Sequence, residues 1–89
     1  MPNVLLVTSY GCTPCLRVKR ILSELQAEMP TLIVEEVDYK SEPGAKLSIE
    51  NGIQYPPAVF INGELFAKGK IDADSMVKMI RESDVVVKS

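Results

Sequence analysis

Ser9-Tyr10-Gly11-Cys12-Thr13-Pro14-Cys15 holds both cysteines of this 89-residue chain, three positions apart. An apolar run, Val4-Leu5-Leu6-Val7, precedes it, and an amphipathic run from Leu16 to Met29 follows. A short apolar run closed by a glycine turn reads as a buried strand. Val18, Ile21, Leu22, Leu25 and Met29 follow the i, i+3, i+4, i+7 spacing of a helix. The Cys-x-x-Cys pair therefore stands where a strand turns into a helix. Unpaired backbone N–H groups and the positive end of the helix dipole stabilise an anion at that point. A thiolate is an anion, so a cysteine there is expected to be acidic and reactive.

The helical wheel separates the two thiols. The buried face centres on Val18, Leu22, Leu25 and Met29. At about 100° per residue, Cys15 lies about 60° from Val18 and Cys12 about 120°. Cys12 also falls outside the first turn. Cys12 is expected to be the exposed attacking thiolate and Cys15 the more buried resolving thiol. Pro14 suits the first turn, where a missing N–H is no loss. The alternatives are a structural disulfide or two idle thiols. A Cys-x-x-Cys on a strand–helix junction favours redox chemistry over both.

The rest of the composition narrows the field. A chain of this length makes one small domain, expected over residues 1–83 with a tail at 84–89. Hydrophobic residues make up 46% and charged residues 25%, ordinary for a globular protein. A formal net charge of −2 argues against non-specific nucleic-acid binding. No apolar run approaches the length of a transmembrane helix, so no membrane partner is expected. The N-terminus lacks a basic region followed by an apolar core, so export is not expected. The expected compartment is a reducing cytoplasm, where a lone cysteine pair is more often catalytic or metal-binding than structural. The chain has no histidine, which removes His-based acid–base catalysis, Cys–His dyads and histidine metal ligands.

Read in order, Asn3 to Thr8 is a central strand, apolar on both faces. The first helix runs from about Thr13 to Met29 and stops before Pro30. Its outer face carries Arg17, Lys19, Arg20, Glu24 and Glu28, with Arg20 and Glu24 spaced to pair. Leu16 is an exposed leucine beside the cysteines, available to a partner. Thr31 to Tyr39 is a second strand whose rising charge marks an edge. Its helical link to the first strand implies a parallel, right-handed crossover. Ser41 caps a short second helix with Pro43 in its first turn, ended by Asn51-Gly52. Ala58 to Ile61 and Glu64 to Lys68 form a hairpin around Asn62-Gly63, a type I′ turn signal. Asp72 caps a last helix, about Ala73 to Glu82. Ile71 and Met76 are spaced for a hydrophobic staple, and Ala73, Met76, Val77 and Ile80 form its buried stripe. Val85-Val86-Val87 belongs to the tail. The fold class is α/β: β-α-β-α-β-β-α, one four-stranded mixed sheet with helices on both faces.

Two stretches now carry a family resemblance. Tyr10-Gly11-Cys12-Thr13-Pro14-Cys15 resembles the strand–turn–helix redox motif of the thioredoxin/glutaredoxin family. The stretch from Gly52-Ile53-Gln54-Tyr55-Pro56-Pro57 through Asn62-Gly63 resembles that family's cis-proline segment and hairpin. Gly69 before the last helix adds weakly. The resemblance covers nearly the full chain and implies a minimal thioredoxin fold in which Pro57 is the cis-proline, packed against the cysteines. It also implies that Tyr10, Gly11, Thr13 and Pro14 support the pair, and that Tyr55, Pro56 and Leu16 meet substrate. In the family, the residue before the cis-proline offers N–H and C=O to a bound segment; Pro56 has no N–H to offer.

The chain departs from the family in three places. Thioredoxins usually carry a tryptophan before the motif and a buried aspartate in the preceding strand; here Gly11 and Leu6 stand there. The glutaredoxin Gly-Gly pair is replaced by Ala67-Lys68, or by Gly69-Lys70 if an insertion shifts the count. The resemblance thus implies a glutaredoxin-like thioredoxin reduced by a thioredoxin-reductase-type protein rather than by glutathione.

The expected function is reduction of disulfides in partner proteins through the Cys12–Cys15 pair, by a monomer with no cofactor. Two other readings stand beside it. One is a non-catalytic thioredoxin-like binding module. The other is a dimeric metal or iron–sulfur site, since two cysteines cannot close a tetrahedral site alone.

Overall fold

Val4 has a strand on each side: it lies opposite Val34 in one neighbour and Ile61 in the other. The computed structural model describes residues 2–84. Its elements are β1 (Asn3–Thr8), α1 (Thr13–Glu28), β2 (Ile33–Asp38), α2 (Glu42–Asn51), β3 (Ala58–Ile61), β4 (Glu64–Lys68) and α3 (Ala73–Asp84). The sheet order is β2-β1-β3-β4. β1 pairs β2 in parallel and β3 antiparallel, and β3 pairs β4 antiparallel. This is the expected α/β architecture, with β2 at an edge. Asp84, expected in the tail, closes α3 instead, and the remaining tail residues 85–89, including the Val85–Val87 run, lie outside the described residues.

Alternation along the strands sends side chains to two cores. Val4, Leu6, Val59 and Ile61 meet Val18, Leu22 and Leu25 of α1 and Met76 and Ile80 of α3. On the opposite face Val7, Ala58 and Phe60 meet Ile53, with Leu47 of α2 packed against them. Helices thus cover both faces, which is why β1 reads as a continuous apolar run.

Several local features differ from the sequence expectation. β2 begins at Ile33, not Thr31. Leu32 is buried in the first core, and its N–H donates to Met29 O at 2.9 Å, so Leu32 anchors a turn instead of extending the ladder. β4 contains a bulge: Phe60 faces Leu65 while Val59 faces Ala67, leaving Phe66 as the extra residue. Phe66 packs against the first core and Leu65 against the second. Among the described residues the ion pairs are Lys19–Glu36 and Arg81–Glu28. The expected Arg20–Glu24 pair is not formed; an exposed pair at that spacing gives about 0.3–0.5 kcal/mol, too little to hold two long side chains.

α2 is held by small residues. Ser41 Oγ accepts the Gly44 N–H at 3.1 Å and donates to Asp38 O at 2.6 Å. Ser48 is buried, its hydroxyl donating to Gly44 O at 2.8 Å. Gly52, at φ +66°, closes the helix. The hairpin turn takes positive φ at Asn62 and Gly63, as a type I′ turn requires. Asn62 also ties the turn down: its N–H donates to Asn3 O, its Oδ1 accepts the Asn3 N–H, and its Nδ2 donates to Ser83 Oγ.

Candidate active site

β1 ends at Thr8, and the chain turns through Ser9, Tyr10 and Gly11 before α1 begins. Gly11 has φ +77°, and the Cys12 N–H returns to Ser9 O at 3.2 Å. This turn leaves Cys12 as the N-cap of α1, with φ −85° and ψ 106°. Its Sγ accepts the Cys15 N–H at 3.1 Å. A sulfur thus occupies the place where a helix ordinarily takes a hydroxyl or carboxylate oxygen. Pro14 lies in the first turn, and that turn contains no acidic residue. No carboxylate of α1's own first turn therefore opposes the positive end of the helix dipole.

Cys12 and Cys15 are joined as a disulfide with their Cα atoms 5.2 Å apart. Cys15 is only 2% exposed, whereas Cys12 is half-buried. The two sulfurs therefore differ in access as the helical wheel requires.

Two openings flank this end of α1; the first is lined by the cysteines themselves and the second by neither. One, of about 500 Å³, is lined by Tyr10, Gly11, Cys12, Cys15 and Leu16, together with Lys19 and Asp38. Tyr10 is fully exposed and Leu16 largely so, which places apolar surface beside the sulfurs. The second, of about 390 Å³, brings Thr13 and Pro14 against Pro57, with Arg17, Lys70 and Ile71. Pro57 is buried and follows a cis peptide bond from Pro56. Its carbonyl accepts the Gly69 N–H at 2.7 Å, linking this loop to the segment before α3.

Two sequence-predicted residues lie apart from these openings. Tyr55 is exposed but lies over Gly69; a Cβ at Gly69 would sit 3.1 Å from the Tyr55 ring. It lines a separate pocket of about 260 Å³ with Gly52, Gln54 and Lys68. Pro56 is half-buried and lines none of these three openings.

Sequence reasoning set Arg17 aside as part of a solvated basic face, did not single out Lys70 as a site residue, and gave Gly69 little weight. The bulge at Phe66 explains part of this: one extra residue in β4 shifts any count from the hairpin turn. The residue bonded to Pro57 is Gly69, followed by Lys70, so a single glycine stands there. Among the described residues, no group of three or more His, Cys, Asp or Glu side chains is placed to hold a metal ion.

Comparison with known proteins points the same way. A family model described as Glutaredoxin matches residues 4–66. A thioredoxin of Methanocaldococcus jannaschii is 31% identical over 78 residues, covering 86% of this chain and 89% of that one. The oxidised thioredoxin O2 of Arabidopsis thaliana superposes with a TM-score of 0.71 at 18% identity, covering 92% of this chain and 74% of that one. Oxidised mitochondrial thioredoxin 3 of Saccharomyces cerevisiae gives 0.69 at 21% identity, covering 91% and 77%. At such identities the structural likeness speaks for the fold; the family match and the archaeal relative speak for kinship.

Proposed function

The chain belongs to the thioredoxin/glutaredoxin family, and on that footing we propose how its cysteines divide the work. It is a thiol–disulfide oxidoreductase acting through Cys12 and Cys15. Its substrates are protein disulfides, and a reductase returns it to the dithiol form. The Cys12 thiolate attacks one sulfur of a substrate disulfide. That bond breaks, a mixed disulfide forms, and the other substrate sulfur leaves as a thiolate that takes a proton from solvent. Cys15, deprotonated, then attacks Cys12 Sγ. The Cys12–Cys15 disulfide forms, and the second substrate sulfur leaves reduced. Two electrons pass to the substrate, and an external dithiol donor must return them. The observation that carries this assignment is the hydrogen bond from the Cys15 N–H to Cys12 Sγ at the helix N-cap, with Cys15 buried behind it.

Thr13 and Pro14 set the geometry between the sulfurs, and Tyr10 and Gly11 shape the turn before them. Pro57 walls the second opening, Leu16 lines the first beside the sulfurs, and Tyr55 and Pro56 contribute outlying contact area. The donor is a thioredoxin-reductase-type protein rather than glutathione. Lys70 follows Gly69 where close approach of a small peptide needs a second glycine. The protein works as a cytoplasmic monomer on protein partners, without nucleic acid or membrane. Among the described residues, no helix is long and apolar enough to cross a membrane.

The test is turnover of a disulfide substrate with either thioredoxin reductase or glutathione plus its reductase. Thioredoxin reductase is expected to sustain the faster cycle. Robust turnover with glutathione alone would reverse the donor assignment.

A further inference from the structure

The step that closes the cycle needs a thiolate in an unfavourable place. Cys15 is 2% exposed, and burial disfavours the charged form of a thiol. β1, which shares the first core with α1, carries no titratable side chain, and the chain has no histidine. Cys15 lines the opening of about 500 Å³, and the titratable groups that share this lining are Tyr10, Cys12, Lys19 and Asp38. Arg17 and Lys70 line the other opening, which Cys15 does not. Lys19 follows Cys15 by four residues, about 40° around α1 and 6 Å along it. Helical side chains lean back over the preceding turn, so Lys19 is directed over the turn that holds Cys15. Its side chain is half-exposed, and Nζ sits 3.2 Å from Glu36 Oε1. Val34, Glu36 and Asp38 alternate onto the α1 face of β2, where Val34 packs against the first core. One oxygen of Asp38 accepts the Lys40 N–H at 2.8 Å. Among the described residues lining this opening, Lys19 is the one cation.

We propose that Lys19 is a positioning residue for the second half of the reaction: its ammonium favours the Cys15 thiolate in the mixed disulfide, and Glu36 tempers it by pairing. The proposal rests on Cys15 being the resolving thiol. Cys15 loses its proton to solvent, and the thiolate attacks Cys12 Sγ. The Cys12–Cys15 bond forms as the Cys12–substrate bond breaks, and the substrate sulfur leaves with the electron pair and takes a proton from solvent. Two effects of the charge compete. A cation beside the sulfur raises the fraction present as thiolate. It also makes that thiolate a weaker nucleophile, by about half as much on a logarithmic scale. Below the Cys15 titration the first effect wins, and Lys19 speeds the step. Above it Cys15 is already a thiolate, only the second effect is left, and Lys19 slows the step. The effect thus changes sign with pH, which a residue that only held α1 in shape would not produce.

The experiment mixes the reduced protein with a neutral dipyridyl disulfide in stopped flow. Attack by Cys12 releases one thiopyridone at a rate that scales with reagent, and attack by Cys15 releases the second in a first-order phase. At neutral pH and low salt, Lys19→Gln should slow the second phase about two- to fourfold and the first phase less. Lys19→Arg should keep the native rate, and Glu36→Gln, which frees the ammonium, should quicken the second phase. The deficit of Lys19→Gln should shrink as salt is raised. It should also shrink as pH rises, and reverse once the second phase levels off. Equal second phases in the native protein and Lys19→Gln at neutral pH would overturn the proposal. A deficit of constant size at every pH would do the same, as would Lys19→Arg running as slowly as Lys19→Gln. Absence of a second release from the native protein, or a first release that survives Cys12→Ser but not Cys15→Ser, would remove the division of work between the cysteines and this proposal with it; the other outcomes remove this proposal alone.

Discussion

At the scale of single residues, Cys12 joins two roles that are usually separate, helix cap and nucleophile. In the disulfide form its sulfur accepts the Cys15 N–H, and the same bond made to the reduced sulfur would favour the thiolate. Cys12 should therefore titrate below an ordinary thiol, whose pKa is roughly 8.5. Alkylation at neutral pH should consume Cys12 before Cys15; the opposite order would reverse their roles. Cys12→Ser should abolish disulfide reduction, whereas Cys15→Ser should accumulate a mixed disulfide with substrate. Activity should fall as pH drops through the Cys12 titration, because the thiol is a poor nucleophile and the chain has no histidine to take its proton. Pro56 offers a different test. It lacks an N–H for a docking strand, and one net hydrogen bond is worth roughly 0.5–1.5 kcal/mol. In a Cys15→Ser background, Pro56→Val should bind a peptide substrate up to about tenfold more tightly. Unchanged or weaker binding, measured by titration, would show that substrate does not dock along the backbone there. The cysteines were legible in the sequence because their spacing and their place after an apolar run are local facts. Arg17 and Lys70 were not, because a charged side chain on an amphipathic helix or in a loop looks like any solvated surface until its neighbours are known.

At the scale of elements, α2 shows where pattern reading runs short. Its apolar periodicity is thin because the face it buries is made partly of Gly44 and Ser48, while Ile49 is 82% exposed. A Cβ at Gly44 would lie 1.9 Å from Asp38 O, so the first turn of α2 rests directly on the end of β2. Gly44→Ala must push that turn away from the strand and should lower stability by about 1–3 kcal/mol, the usual cost of overpacking. Chemical denaturation would measure it, and a loss under about 0.5 kcal/mol would mean that the two elements separate freely. The caps and the hairpin, by contrast, were readable. Ser41, Gly52 and Asn62-Gly63 act through short-range backbone chemistry that their residue types announce. The β4 bulge had no such signal. Phe66 and Leu65 are both apolar, and only the need of each core for a large side chain sets them on opposite faces.

At the scale of the whole molecule, element order, the parallel β1–β2 pair and the β3–β4 hairpin followed from periodicity and connection rules, whereas the antiparallel pairing of β1 with β3 did not. The site did not follow so directly, because Pro57, Gly69 and Lys70 reach Pro14 only through the closed fold. Tyr55 illustrates the difference: it is close in sequence to Pro57, yet the structure sends it over Gly69 into another pocket. The placement of β1 between β2 and β3 also governs how this chain is born. A ribosome delivers Val34 and then, 27 residues later, Ile61, the other residue beside Val4. At about 5–20 residues per second, β1 spends roughly one to five seconds with one edge unpaired. Met76 and Ile80 arrive later still, so the core that β1 shares with α1 stays open until α3 has been made. Nascent chains stalled with residues 1–52 outside the ribosome should be cut rapidly by protease, while chains stalled with residues 1–84 outside should resist. Protection of the shorter chain would mean that β1, α1 and β2 hold together before the sheet is complete.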